Sequence, residues 1–207
     1  MKNFKSLFTL MCCALLATAS FTSCLGSDNN DDSNNYKKLT PTEKTTMITA
    51  LSGNYKGKVY SYKNISESKP DSMDIMIRAA IDSTIIIPNI PTKAISKYIT
   101  SDDRELVNQA KTFTIKANVR TPATYSTQFF NKGYYQFIII PTTTTFSAGS
   151  KNVTIEYANQ LTFKQVVLYP ICESFQNQFG CTLLIKSIKV GNSTYDVNLP
   201  LRFKGKK

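Results

Sequence analysis

The chain has 207 residues with 25 basic and 14 acidic side chains, which gives a formal net charge of +11, and it contains no histidine and no tryptophan. The absence of histidine removes the usual general base, the Ser-His and Cys-His nucleophile systems and most zinc sites. The length suits one globular domain that buries a sizeable core without help.

The first segment predicts an export signal. Lys2 and Lys5 form a basic start, and residues 7–21 are mostly apolar but too short to cross a bilayer. Cleavage after Ala19 would leave Cys24 as an ordinary thiol, whereas cleavage before Cys24 would make that cysteine the new N-terminus. We expect the second outcome, so that residues 1–23 are the signal peptide.

The letters FTSC that end at Cys24 resemble a bacterial lipobox, which implies that Cys24 carries diacylglycerol and anchors the protein to a membrane. The acidic SDNNDD that follows is similar to the tag that sends Bacteroidetes lipoproteins to the outer face of the outer membrane. Residues 24–38 are almost free of apolar side chains and predict a flexible tether. The folded domain is expected at 39–207, on the outer membrane at the cell surface or its periplasmic face.

The net positive charge of the domain indicates which classes of partner are suitable. Loss of the two leader lysines still leaves a basic domain, but nucleic acid is an unsuitable partner outside the cell. Anionic glycans or lipid head groups are better candidates. A solvated surface with excess lysine is the simpler alternative.

The domain opens with a predicted helix. Thr40 is placed to cap it, Pro41 takes the first helical position, and Glu43 completes a capping box. Met47, Ile48 and Leu51 share one buried face, and the helix is expected to end at Gly53.

A series of predicted strands follows, because apolar and polar residues alternate with a period of two, as in FTIKANV and TYDVNLPLRF. Gly191 and Asn192 predict a two-residue hairpin turn, and Pro200 should face solvent or a sheet edge. Helical spacing interrupts the series near residues 91–111. There Asp102, Asp103 and Glu105 are expected to cap a helix rather than to catalyse.

Aromatic side chains concentrate in the segment TYSTQFFNKGYY, where a loop is expected. Such rings suit sugar faces or an apolar ligand, so this segment is a candidate binding surface; closure of the core is the alternative. The rings belong to Tyr125, Phe129, Phe130, Tyr134 and Tyr135.

Two cysteines, Cys172 and Cys181, remain after the leader and Cys24 are set aside. An even number outside the cytoplasm predicts a structural disulfide between them, joining the base of a loop between two strand-like runs. A redox-active pair is the alternative, although no C-x-x-C spacing is present.

Catalytic motifs are not recognisable. Ser66 and Lys69 match a bare S-x-x-K spacing without its companions, and no phosphate loop or calcium loop occurs, so neither metal nor cofactor is expected. Distant carboxylates such as Asp74, Asp82 and Glu156 would allow glycoside hydrolysis only if the fold brought two of them together.

The chain resembles uncharacterised lipoproteins of gut Bacteroidetes in FTSCLGSDNNDD, in LTPTEKTTMITALSGNYKG and in the C-terminal LLIKSIKV hairpin. The piece LSGNYKGKV also looks like the first strand of lipocalin-like barrels, although the helical insertion does not fit a plain barrel. Ser72 and Ser83, in DSM and DST, resemble O-glycan acceptor positions of exported Bacteroidetes proteins. The resemblance implies no known activity.

The fold expected is therefore α+β and mostly antiparallel, either a sandwich or a partly closed lipocalin-like barrel. The function expected is non-catalytic binding of a glycan, an apolar ligand or an outer-membrane protein. An accessory subunit of an outer-membrane complex is the second hypothesis, and a carboxylate-dependent glycan-active enzyme is the third.

Overall fold

The computed structural model describes residues 36–64, 67–163 and 165–207. The predicted signal peptide, Cys24, residues 24–35 of the tether, and Ser66 lie outside the described residues. The described helices are α1 (Pro41–Leu51), α2 (Lys93–Ser96), α3 (Ser101–Gln109) and α4 (Thr127–Asn131). The described strands are β1 (Tyr36–Lys38), β2 (Gly53–Ser61), β3 (Asp71–Ala79), β4 (Thr84–Pro91), β5 (Thr112–Arg120), β6 (Thr124–Ser126), β7 (Tyr135–Pro141), β8 (Thr144–Ala148), β9 (Lys151–Tyr157), β10 (Leu161–Phe163), β11 (Val166–Leu168), β12 (Ile171–Phe175), β13 (Gln178–Val190) and β14 (Ser193–Lys206).

Eight antiparallel strands close into a barrel in the order β12, β7, β5, β4, β3, β2, β14 and β13, and β13 pairs back with β12. The mostly antiparallel fold and its resemblance to a lipocalin-like barrel are confirmed, and the closed barrel replaces the sandwich alternative. Strands β9 and β8 extend the sheet beyond β13. Strand β13 pairs with β12 from Gln178 to Thr182 and with β9 from Ile185 to Val190, and a register shift between Ile185 and Ser187 lies within the part that pairs with β9.

The period of two decides which side chains fill the barrel. In β5, every second residue from Phe113 to Val119 is buried and the residues between them are exposed. The hairpin turn at Gly191 and Asn192 is confirmed, since Val190 pairs with Ser193 and Gly191 has a φ of 57°. Pro200 is buried rather than solvent-facing. It lies just beyond the end of the β14–β2 pairing, which begins at Leu201, so its missing N–H interrupts no bond on that side.

Helix α1 begins as predicted. The Thr40 side chain accepts a hydrogen bond from the Glu43 backbone N–H, and the Glu43 side chain accepts one from the Thr40 N–H. Met47 and Leu51 are buried in the barrel core. The Tyr55 hydroxyl donates to the carbonyl of Leu51, which ties the end of the helix to β2.

The helical insertion is compatible with a closed barrel because its two ends meet. The Thr92 N–H donates to the Lys111 carbonyl over 2.9 Å, so the chain leaves β4 and returns to β5 at nearly the same point. The N-cap of α3 is Thr100, whose side chain makes no capping hydrogen bond, and Asp102 and Asp103 lie in the first turn of the helix. The insertion lies beside β2 and β3, where β3 and β4 diverge.

Three local features differ from what the sequence predicted. The first of the two strand-like runs that flank the cysteine loop, LTFKQVVLY, is not one strand but the short hairpin of β10 and β11. Strand β8 was not predicted. The expected loop between the cysteines is a tight hairpin, because Gln176 and Asn177 both adopt a positive φ and turn the chain within two residues.

Candidate functional site

The aromatic segment packs against the barrel instead of presenting its rings to solvent. Tyr125, Tyr134 and Tyr135 are at most 8% exposed, and Phe129 and Phe130 are partly buried against the core. Of the two interpretations of this segment, the burial of its rings favours closure of the core over an exposed binding surface. A short strand and a helix replace the expected loop because β6 pairs with β1 and α4 follows directly.

Hydrogen bonds hold this segment in place. The Tyr125 hydroxyl donates to the Tyr134 carbonyl over 2.8 Å and accepts from the Gln136 N–H over 3.0 Å. Burial raises the pKa of Tyr125 well above its usual range, so it stays a neutral donor. The Gln136 side chain donates to Glu173 on β12 over 3.0 Å, which joins the segment to the neighbouring strand. The candidate aromatic segment is thus held in a structural hydrogen-bond network.

The two cysteines lie directly opposite each other on β12 and β13. Both are buried and both are free thiols in the structure. Burial raises the pKa of both thiols, strongly for Cys172, which keeps them protonated and unreactive while the barrel is folded. The predicted disulfide stays a prediction, and the register brings its two partners together.

The candidate glycosylation residues lie at different places on the surface. Ser72 is exposed on β3, and Ser83 is partly exposed in the turn between β3 and β4 with a φ of 70°. In that turn Asp82 accepts hydrogen bonds from the N–H and the hydroxyl of Thr84, at 3.0 and 2.6 Å. Modification of Ser72 and Ser83 stays a prediction.

The three carboxylates singled out for hydrolysis each have a separate partner. Asp74 pairs with Lys58 at 3.1 Å, and Glu156 pairs with Lys189 at 2.6 Å. Glu156 lies on β9 and Asp74 on β3, which are not neighbouring strands, and Asp82 binds its own turn. Within the described ranges, no group of three or more cysteine, aspartate or glutamate side chains is placed to hold a metal ion.

Asp103 has a structural role that sequence reasoning assigned only in part. It lies in the first turn of α3, and its carboxylate accepts from Lys151 over 2.8 Å and from the Tyr195 hydroxyl over 2.5 Å. The Lys151 ammonium is the main reason that the pKa of Asp103 is lowered. These bonds join the insertion to the ends of β9 and β14.

A basic surface on the barrel wall is the feature that sequence reasoning missed. Strand β2 carries Lys56-Gly57-Lys58, and β14 carries Lys204-Gly205-Lys206. The two triplets pair in antiparallel register, Lys58 with Lys204 and Lys56 with Lys206. All four lysines are exposed on the outer face. We call these four residues the lysine ladder.

Few carboxylates balance the lysine ladder. Among the described residues, its one ion pair joins Lys58 to Asp74, and both side chains are largely exposed, so that pair is weak. Like charges directly opposite each other in a sheet are destabilising. Arg202, two residues before Lys204, extends the positive surface and lies over the Tyr62 ring. Lys204 lies 6.0 Å from the centre of the Tyr60 ring.

The glycines of the two triplets lie where an added side chain would collide with neighbouring atoms. A Cβ added to Gly57 would lie 1.9 Å from the backbone oxygen of Lys204, and one added to Gly205 would lie 2.9 Å from the Cβ of Tyr55. Both positions face inward, because they alternate with the exposed lysines. The Lys-Gly-Lys pattern therefore combines a close backbone contact inside with four charges outside.

A groove of about 570 Å³ lies beside the lysine ladder, between β3 and β4. Its lining combines ladder residues with charged, apolar and amide side chains: Lys56, Lys58, Asp74, Ile75, Met76, Pro88 and Asn89, with the backbone of Gly57. Met76 is 39% exposed, which is high for a side chain of its size. The groove and the ladder form one continuous outer surface.

The inside of the barrel favours a packed core over a ligand chamber. Eight strands leave an interior that either side chains or one small ligand can fill. Here Tyr55, Phe137 and Phe203 are at most 2% exposed and belong to the same apolar core. An interaction surface is therefore better placed on the outer wall.

A family model described as a domain of unknown function, DUF4840, matches residues 50–190, and the chain belongs to this family. The searches of curated proteins and of solved structures found no match. Among the described helices, none combines the length and apolar character needed to span a membrane.

Proposed function

We propose that this member of the DUF4840 family is a lipid-anchored binding protein outside the cytoplasm, whose barrel holds an anionic partner through the lysine ladder without catalysing a reaction. The observation that carries the proposal is the cross-strand pairing of two Lys-Gly-Lys triplets. Pairing places four ammonium groups on one small patch, although the same pairing costs stability.

The ladder is not explained as protection of a sheet edge. Lysine often blunts exposed edge strands, but β2 and β14 each have a neighbour on both sides. A partner that supplies carboxylates, phosphates or sulfates would relieve the repulsion among the four lysines. Binding would then be electrostatic, and it would weaken as salt is added.

The membrane anchor is the second part of the proposal. It rests on the apolar run before Cys24 and on the small residue Ser23 that precedes it. Mass spectrometry of protein purified from membranes should find an acylated chain that starts at Cys24. A chain that starts at Ser20 with an intact Cys24 thiol would contradict the membrane anchor. That result would not bear on binding by the lysine ladder.

The ladder is tested by charge removal. We expect a variant with all four ladder lysines changed to glutamine to bind dextran sulfate, polyglutamate and anionic vesicles about 30-fold more weakly, taking roughly 0.5 kcal/mol for each exposed charge. The slope of affinity against salt should also fall. A matched control removes four exposed lysines elsewhere, namely Lys93, Lys116, Lys132 and Lys186.

The control variant has the same net charge as the ladder variant, so only the position of the charges differs. The free energy of unfolding should stay the same or rise slightly in the ladder variant, because repulsion is removed. Equal losses in both variants would show a general charge effect and contradict the ladder. Failure of the wild-type protein to bind any of the three polyanions would overturn the proposed function.

A further inference from the structure

Strand β3 has an edge that its neighbour leaves open. Along its whole length β3 pairs with β2, from Asp71 to Ala79. On the other side, within the described residues, it pairs with β4 only at Arg78 and Ala79, next to the turn. Before Arg78, the backbone N–H and C=O groups of β3 that point away from β2 are therefore not paired with any strand of the described ranges.

The helical insertion covers one end of this edge. Lys97, just after α2, donates to the Asp71 carboxylate over 3.1 Å and to the Ser61 carbonyl over 2.8 Å. The stretch from Asp74 to Ile77 lies between the insertion and the turn. Three of its residues, Asp74, Ile75 and Met76, line the groove beside the lysine ladder.

The opposite wall of the groove is protected against strand pairing, but β3 is not. Pro88 lacks an N–H, and the pairing of β4 with β5 shifts register between Ile87 and Ile90, where Asn89 has a φ of 54°. A proline and a bulge are both devices that blunt a strand edge. The sequence DIMI of β3, by contrast, contains no proline and no glycine. An added strand would therefore pair with β3 and only contact β4.

We propose that this edge binds an extended acidic segment of a partner polypeptide, which adds to β3 as a strand. The inference deepens the proposed function, because it makes the anionic partner of the lysine ladder a polypeptide. Strand addition uses backbone hydrogen bonds for affinity and alternate side chains for specificity.

The geometry favours a polypeptide over an acidic glycan. The N–H and C=O pairs of a strand edge repeat about every 6.8 Å, and an extended chain carries complementary groups at the same repeat. Glycan hydroxyls have no such matched order. The polypeptide would present acidic side chains outward toward Lys56, and apolar side chains inward beside Ile75.

Two backbone-methylated peptides test the inference directly. The probe is an eight-residue peptide of alternating valine and glutamate, added to the purified mature protein. In one version the valine amides are N-methylated, and in the other the glutamate amides are. The N–H groups of alternate residues point to opposite edges of a strand, so each version blocks one edge and leaves the charge unchanged.

Strand addition predicts an asymmetric result. One methylated peptide should bind about tenfold or more weakly than the parent, because hydrogen bonds to β3 are lost, while the other keeps most of its affinity. The parent should also slow amide hydrogen exchange between Asp74 and Ile77. Met76→Glu, which adds a negative charge at the groove, should weaken binding of the unmethylated parent peptide. Met76→Leu should leave that binding unchanged.

The failures of the two proposals are distinguishable. Equal affinity of both methylated peptides would overturn strand addition. Binding of dextran sulfate without binding of the parent peptide would also overturn it, and would leave the lysine ladder as a glycan site. Loss of binding to every polyanion would overturn the proposed function and this inference together.

Discussion

Oxidation of Cys172 and Cys181 gives a sharp test of how the barrel is stabilised. The two residues are directly opposite in the β12–β13 pair. Opposite residues in an antiparallel pair have Cα atoms about 4.5 to 5.5 Å apart. A disulfide needs a Cα separation of about 4.4 to 6.8 Å, so a bond can form without movement of the backbone. In an oxidising compartment we expect the protein to contain this bond.

The stabilisation follows from the loop that the bond closes. From Cys172 to Cys181 the loop has ten residues. Restriction of the unfolded chain over that length contributes about 2.7 kcal/mol at 25 °C on the loop-entropy model. For a domain of this size, each kcal/mol raises Tm by about 2 to 4 °C, so the oxidised protein should melt roughly 5 to 10 °C higher.

The bond should form during folding rather than afterwards. Both thiols are at most 4% exposed, and burial raises the pKa of each, so little thiolate is available to attack an oxidant in the folded barrel. Oxidant added to folded, reduced protein should react slowly. The same oxidant present during refolding should react quickly.

Mass spectrometry and thermal unfolding check this together. Protein refolded in an oxidised glutathione buffer should be two hydrogen atoms lighter and should melt higher than the reduced form. A Cys172→Ala, Cys181→Ala double variant is the control, and its Tm should not respond to reductant. Persistence of both thiols after oxidative refolding, or equal Tm values for the two forms, would refute the reasoning.

Three further changes test the packing and the ion pairs. Gly57→Ala should lower the free energy of unfolding by about 1 to 3 kcal/mol, because the added Cβ would lie 1.9 Å from a backbone oxygen. At Gly133, by comparison, an added Cβ would meet nothing within 4 Å, and only the φ of 69° opposes a substitution. Tyr135→Ala should cost about 3 kcal/mol, measured by urea unfolding, and a cost near zero would show that the ring is not part of the core. The lowered pKa of Asp103 favours its ionised form in the folded state, so stability should fall as the pH drops below its ordinary value of 3.8. Asp103→Asn should reduce that pH dependence in acid titrations of Tm, and an unchanged profile would contradict the assignment.

Local signals predicted the parts of the fold that neighbouring residues determine. The Thr40 and Glu43 capping box needs only four consecutive residues, and it forms as expected. The Gly191-Asn192 turn likewise depends on the left-handed preference of glycine. The Gln176-Asn177 turn escaped notice because neither residue is glycine, although both adopt a positive φ.

The candidate site could not be predicted in the same way, because it depends on pairing between distant strands. Lys56 and Lys206 are 150 positions apart in the sequence, and only closure of the barrel makes them neighbours. For this reason the sequence alone indicated an excess of lysine but not where the lysines meet. The repeated Lys-Gly-Lys triplet was the available signal, since two strands with the same triplet can face each other.

The open edge of β3 results from missing pairing with β4, which the sequence of β3 alone does not indicate. Every residue of DIMI favours a strand, but nothing in those letters indicates that β4 turns away. The bulge at Pro88 and Asn89 is a local signal for that divergence, because proline and a left-handed asparagine both interrupt regular pairing. The helical insertion after β4 is the second signal, since its length needs space beside the sheet.

Reversal of one charge in the lysine ladder tests stability and binding together. Lys206→Glu places a carboxylate directly opposite Lys56, so a repulsive cross-strand pair becomes an attractive one. The free energy of unfolding should rise by about 0.2 to 1 kcal/mol, while affinity for polyglutamate falls because one ammonium is lost and a like charge is gained. Lys116→Glu on β5 is the control, with the same change in net charge but a position outside the ladder. If Lys206→Glu instead lowers stability, then the lysine supports the fold, and its presence in the ladder is not evidence for a partner.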